Sequence, residues 1–235
     1  MAVNSFDHSI ISFINQLCGK SEVFDKTVIF LSQNDLVKGC IITLYWWVWF
    51  SPSNDITVRR QRIVSAIYGC FVAMFIVRIM SKLMQFRTRP ILDPANHLVQ
   101  AIGFNINRIP DTHNSFPSDH ATLFFALATG MFFVSRRLGL FSLIYVLLFV
   151  AFPRVYIGLH YPTDILGGAF VGVLVVLITN IEFFRIKISD KILKYSETRP
   201  GLFYAVFFLL SFQIATLFDS SRNVLHFLGD IIKSG

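Results

Sequence analysis

Charge is scarce in this chain. Only 15% of its 235 residues are Asp, Glu, Lys or Arg, while 54% are hydrophobic and 26 are phenylalanine. A soluble domain of this length carries far more charge, so a water-soluble globular protein is excluded. Cysteine is scarce too. Cys18, Cys40 and Cys70 show no ligand-like spacing, and two lie inside apolar runs. They read as small hydrophobes and carry no redox information. No basic leader opens the chain, since Met1 to His8 lack the positive n-region of a cleavable signal peptide. Internal repeats, low-complexity tracts and a linker are also missing, which predicts one domain over 1–235. His8, His97, His113 and His226 have no spacing that suggests metal ligands.

What the chain has is apolar contiguity. Runs at about 36–50, 63–84, 121–134, 138–157, 165–184 and 202–218 approach the length of a membrane span. Crossing the hydrocarbon takes roughly 20 apolar residues. The fold class expected is therefore all-α: a polytopic membrane bundle of about six transmembrane helices. Ahead of it, Phe6, Ile10, Ile11, Ile14 and Leu17 recur at helical spacing against Asp7, Ser12, Asn15 and Gln16. This predicts a short N-terminal helix, lying in the membrane interface or packed on the bundle surface. Trp46, Trp47 and Trp49 have the look of an interfacial belt.

The net charge is +7, but its distribution argues against a nucleic-acid partner. Six spans sort the connections into two sets. One set (51–62, 135–138 and 185–199) holds Arg59, Arg60, Arg62, Arg136 and Arg137 together with the basic residues of 185–199. The other (82–117 and 154–164) holds Lys82, Arg87, Arg89, Arg108 and Arg154. Basic loops stay in the cytoplasm, so the second set is expected to face outward.

On that outer side three short segments carry chemistry. Lys82 and Arg89 follow the second run, Ser118, Asp119 and His120 open the third, and Arg154, His160 and Asp164 join the fourth to the fifth. Three cations suit phosphate, because guanidinium forks match its oxygens and lysine supplies a point charge. Ser118 suits an N-cap, with the following amides offering an anion site. Asp164 lies four residues after His160, so its carboxylate is expected to accept a ring N–H and leave the other nitrogen free to attack. Each segment alone reads as an ordinary loop or helix start; together they point to phosphoryl transfer. Arg87 and Arg108 read as solvated or headgroup contacts, Arg78 as a structural ion pair or a snorkelling side chain. Gly168 and Gly172 read as close helix packing.

The pattern Lys-x6-Arg-Pro, Pro-Ser-x-His and Arg-x5-His-x3-Asp, carried by Lys82, Arg89, Pro90, Pro117, Ser118, His120, Arg154, His160 and Asp164, resembles the signature of the type-2 phosphatidic acid phosphatase superfamily. Within it, "FPSDH" and "HYPTD" look most like the bacterial undecaprenyl-diphosphate phosphatases. Two positions depart: Asp119 replaces the usual glycine, and Pro153 stands where a serine precedes the arginine. Pro153 is expected to break the fourth helix and aim Arg154. The resemblance implies a metal-independent lipid phosphatase with no cofactor. His160 is the nucleophile held by Asp164, and His120 is the proton donor. Lys82, Arg89, Arg154 and the amides near Ser118 hold the phosphate, and Asp119 orients Arg89 or Arg87 or tunes His120. The implied partners are a lipid phosphate or diphosphate and the bilayer, with the oligomeric state open. Undecaprenyl diphosphate is the preferred substrate; phosphatidylglycerol phosphate, phosphatidic acid and lipid A phosphate share the chemistry. Phosphotransfer to another lipid is the alternative. A transporter is disfavoured because the ionisable groups gather at one boundary instead of the midplane.

Overall fold

A computed structural model describes residues 4–109 and 114–217. His113, His226, the end of the sixth apolar run and the side chain of Arg108 lie outside the described residues. Among the described residues ten α-helices form: α1 Ser5–Asn15, α2 Glu22–Gln33, α3 Asp35–Phe50, α4 Ile56–Leu83, α5 Asp119–Val134, α6 Arg136–Val146, α7 Phe152–Tyr156, α8 Pro162–Thr179, α9 Glu182–Thr198 and α10 Pro200–Ala215. Among the described residues there is no β-strand, so the helical class stands.

Helix length and apolarity alone do not establish six spans. Among the described residues three helical stretches are long and apolar enough to cross a bilayer: Ile56–Leu83, Arg136–Tyr156 and Pro162–Thr179. A fourth arises if α2 and α3, bent by 50° at their junction, form one broken span. Asn34 causes the break: it ends α2 in an extended conformation while its side chain accepts from the amides of Leu36 and Val37. α5 and α10 have 16 residues each, about 24 Å of helix, short of the roughly 30 Å of hydrocarbon. The fifth apolar run stops early, because Asn180 caps α8. The basic segment 185–199, expected to be a loop, is mostly helix α9.

Pro153 does not break its helix. The chain widens into a π turn over Leu147–Ala151 and then continues as α7, which has Pro153 in its first turn. A proline lacks the N–H for the i−4 carbonyl and crowds it, and a widened turn relieves both problems. The tryptophan belt is likewise mostly interior. Trp49 is fully buried against Phe203 and Phe207 with Arg60 over its ring, and Trp46 packs on Phe207; Trp47 alone is exposed.

α5 lies at the centre, against α4, α6 and α8. Gly168 and Gly172 on α8 explain how close two of these helices come. A Cβ at Gly168 would sit 2.3 Å from the Ser118 carbonyl oxygen, and one at Gly172 would sit 2.1 Å from that of Thr122. Backbone touches backbone there, which fixes the start of α5 against the start of α8.

The N-terminal helix forms and docks on α7 and α8, but its inward face takes in Asp7 and leaves part of the apolar set outside. Asp7 and Ile11 face inward, Asp7 with no exposed surface, whereas Phe6, Phe13 and Leu17 point outward. Asp7, Ile11 and Ile14 share one face at i, i+4 and i+7.

Candidate active site

The helix starts of α5 and α8, the end of α4 and the strap that follows α4 meet at one end of the bundle. Between them lies a cavity of about 440 Å³ whose lining includes Arg78, Lys82, Arg89, Asn114, Asp119 and His160. Arg78 and Lys82 are one turn apart on α4, so both side chains reach the same space. Arg89 is placed by the strap: the Ile91 amide donates to the Gly158 carbonyl at 2.9 Å. Gly158 adopts φ +70° to allow it, and a Cβ there would lie 2.9 Å from Ile91.

His160 is buried yet reaches the cavity wall. Its Nδ1 lies 2.9 Å from the Ser115 carbonyl oxygen, an acceptor, so Nδ1 carries the hydrogen and Nε2 is the free nitrogen. The expected Asp164 contact differs. Asp164 Oδ2 stands 3.8 Å from Nδ1, beyond hydrogen-bond distance. That oxygen instead accepts from the Ser115 hydroxyl at 2.6 Å and the Tyr161 amide at 2.8 Å, closing the capping box at the start of α8. The carboxylate faces the ring as a nearby charge, and Ser115 is the group that fixes the tautomer.

Asp119 faces two ways. Oδ2 pairs with Arg78 at 3.0 Å, and Oδ1 lies 2.9 Å from His120 Nδ1 and accepts the His120 amide at 2.8 Å. Its cation is thus Arg78, not Arg87 or Arg89. His120 Nε2 contacts the guanidinium of Arg154, which also donates to the Ser32 carbonyl at 3.3 Å. One tautomer fits both ends: Nδ1–H toward Asp119 and Nε2 accepting from Arg154. His120 and Arg154 are therefore paired with each other beside the cavity.

Ser118 is fully buried. Its hydroxyl caps α5 by accepting the Ala121 amide at 3.4 Å, and its own amide donates to the Asp164 carbonyl at 3.1 Å. The anion cradle expected of this helix start is thus largely occupied by protein acceptors. Lys82 and Arg89 make no hydrogen bond from their side chains to a protein acceptor among the described residues, and Arg89 Nε is buried without a partner. Burial pulls the Arg89 guanidinium below its ordinary pKa, opposed by the charges of Asp119 and Asp164. An arginine held this way stays cationic and lacks an anion.

Four participants escaped the sequence reading. Ser115 supplies carbonyl, hydroxyl and amide to three different groups, the last donating to the Arg87 carbonyl at 2.9 Å. Asn114 ties the loop to α4 through the Ser81 carbonyl and accepts the amides of Arg87 and Phe116. Arg87, expected in solvent or at headgroups, is buried between Asp164 at 2.5 Å and Asp7 at 2.6 Å. Burial alone lowers its pKa, but the hydrogen bond to Asp7 and the two carboxylate charges outweigh that and hold it above the ordinary arginine value. Of these, Asp7 alone left a signal, as a carboxylate on the face of Ile11 and Ile14. Among the described residues no three His, Cys, Asp or Glu side chains are placed to share a metal ion.

Comparison with known proteins matches this architecture. The family model described as the PAP2 superfamily covers residues 62–187, from α4 to the first turns of α9. The chain is 28% identical over 180 residues to the undecaprenyl-diphosphatase BcrC of Bacillus subtilis, covering 76% of this chain and 83% of that protein. It is 30% identical over 168 residues to YbjG of Escherichia coli K12, covering 71% and 77%. It is 28% identical over 206 residues to the lipid A 1-diphosphate synthase of the same organism, covering 79% and 81%. No solved structure matches. The three segments that meet at the cavity all fall inside the matched region, and the chain belongs to the PAP2 superfamily as an integral membrane phosphoric-ester hydrolase.

Proposed function

We propose that this protein removes a phosphate from a lipid phosphate or diphosphate, with undecaprenyl diphosphate as the preferred substrate. One observation carries the reading. A histidine with its Nδ1 tied to a backbone carbonyl leaves Nε2 at a cavity where, among the described residues, the side chains of Lys82 and Arg89 donate to no protein acceptor. In the first step Nε2 of His160 attacks phosphorus, the bond to the leaving oxygen breaks, and His120 gives that oxygen a proton. In the second step His120 takes a proton from water, whose oxygen displaces the imidazole and releases inorganic phosphate. Lys82 and Arg89 neutralise the phosphoryl oxygens. Arg154 joins them when substrate arrives, and its departure frees Nε2 of His120 to take up from solvent the proton that it then gives to the leaving oxygen. Ser118 acts by setting the start of α5.

The relative named undecaprenyl-diphosphatase supports the lipid diphosphate. A relative named as a synthase of a lipid diphosphate supports a second reading, transfer of phosphate to a lipid acceptor. In the bilayer, α5 and α10 complete six spans as short crossings with the bilayer locally thinned around them, and α1 lies at the interface with Phe6 and Phe13 toward lipid. The site faces the periplasmic or exterior side of a bacterial inner membrane.

The test is phosphate release by purified protein from a panel of lipid phosphates, with and without a chelator and a lipid acceptor. Wild type is expected to release phosphate from the diphosphate and His160→Ala to lose at least about a thousandfold in kcat, as an enzyme without its nucleophile does. Activity that survives His160→Ala refutes the assignment, and label recovered in the acceptor selects transfer over hydrolysis.

A further inference from the structure

Arg87 and Asp7 form a buried charge bridge that the three-segment signature does not contain. Asp7 has no exposed surface, and each of its oxygens is engaged. Oδ1 accepts the Thr163 amide at 2.9 Å, and Oδ2 accepts the Thr163 hydroxyl and Arg87 Nη2, each at 2.6 Å. Arg87 Nη1 then donates to Thr163 Oγ1 at 2.8 Å and to Asp164 Oδ1 at 2.5 Å, with its guanidinium 4.0 Å above the Tyr161 ring. Two carboxylates thus share one arginine, leaving a net charge of −1 next to the nucleophile. Removing one member of a buried ionic set strands the others, so such a set is costly unless something requires it.

We propose that Asp7, carried on the N-terminal helix, is a positioning residue of the active site that acts through Arg87 and Asp164 on the His160 ring. This rests on the reading of His160 as nucleophile. When Nε2 bonds to phosphorus and the P–O bond breaks, Nδ1 keeps its hydrogen, so the phosphorylated ring becomes cationic. Arg87 cancels one carboxylate, and Asp7 supplies the second negative charge that offsets the ring. The charged and titratable groups facing His160 are Asp164 from α8, Arg87 and Arg89 from the strap, Lys82 and Arg78 from α4, and Asp119 from α5. The cations of this set oppose a cationic ring, and Asp7 reduces their effect through Arg87.

The experiment is the pH–rate profile of lipid phosphate release by full-length Asp7→Asn, Asp7→Glu and Thr163→Val in detergent, with thermal unfolding measured on each. Asp7→Asn is expected to lower kcat at least tenfold and KM by less than threefold. It should also move the acid limb of kcat down by roughly half a pH unit, because a neutral residue no longer favours the imidazolium form. Asp7→Glu keeps the charge and should hold the acid limb where wild type has it. Thr163→Val removes a docking contact but leaves both carboxylates, so it should lower the unfolding temperature without moving the limb. Equal loss in Asp7→Asn and Thr163→Val with an unmoved limb would make the role purely structural and overturn the proposal. Should Asp7→Asn fail to fold, Asp7→Ser takes its place: an acid limb displaced downward supports the proposal, and an unmoved limb overturns it. Wild type without activity on any lipid phosphate, or full activity in His160→Ala, overturns the underlying reading and this inference with it.

Discussion

A histidine with an aspartate four residues on invites the conclusion that the acid holds the ring. The fold inserts Ser115 between them, and this matters for how single substitutions are read. Orientation of His160 comes from a carbonyl that no side-chain substitution removes, so variants at Asp164 report on charge and on the capping of α8. Asp119 is the more informative residue, because its two oxygens hold Arg78 and His120. Asp119→Gly is expected to reduce kcat by about ten- to a hundredfold, less than the roughly 10²–10⁴-fold of removing a proton donor outright, because His120 itself remains. Turnover should survive, because Lys82, Arg89 and His160 are untouched; steady-state kinetics with KM resolved from kcat checks this. Complete loss would assign Asp119 a direct catalytic part. The residue types of this site were legible in the sequence because phosphate chemistry demands few of them. The partners were not, because Arg87–Asp7 and Arg78–Asp119 join positions remote in sequence, and a carbonyl leaves no compositional trace.

Helices are where sequence and structure diverge. The apolar runs were visible, but their ends were set by caps and backbone widening that hydropathy does not register. Asn34 sets the start of the first run's helix and bends it from α2, Asn180 stops another, and a π turn carries the chain to Pro153. Gly172 is the element-scale feature with a measurable consequence. Its Cβ would fall 2.1 Å from the Thr122 carbonyl oxygen, so Gly172→Ala forces α5 and α8 apart. The expected destabilisation is about 1–3 kcal/mol, the usual range for overpacking. Thermal unfolding in detergent should show a drop of roughly 2–4 °C for each kcal/mol. Phosphate release at low temperature should fall as well, since the same contact sets the helix starts that carry His120 and Asp164.

For the whole molecule, the helical membrane class was evident from composition, whereas the number of crossings was not, because two helices of 16 residues leave length undecided. Orientation is open to direct measurement. In a Cys40→Ser background, with Cys18 and Cys70 buried, a thiol introduced at Phe86 is expected to react with a membrane-impermeant reagent added from outside. One introduced at Lys187 should react only after lysis. The reverse pattern would place the cavity on the cytoplasmic side and exclude a substrate presented from the exterior.

The contact between Asp7 and Thr163 spans 156 positions, and this bears on biosynthesis. α1 is translated before α8, so Thr163 emerges only 156 residues after Asp7. Until then Arg87 is the only one of its two partners that has been made. The cavity beside His160 is therefore closed late, and a nascent chain that stalls before α8 has its earlier helices but lacks the Thr163 and Asp164 contacts that order this end of the bundle.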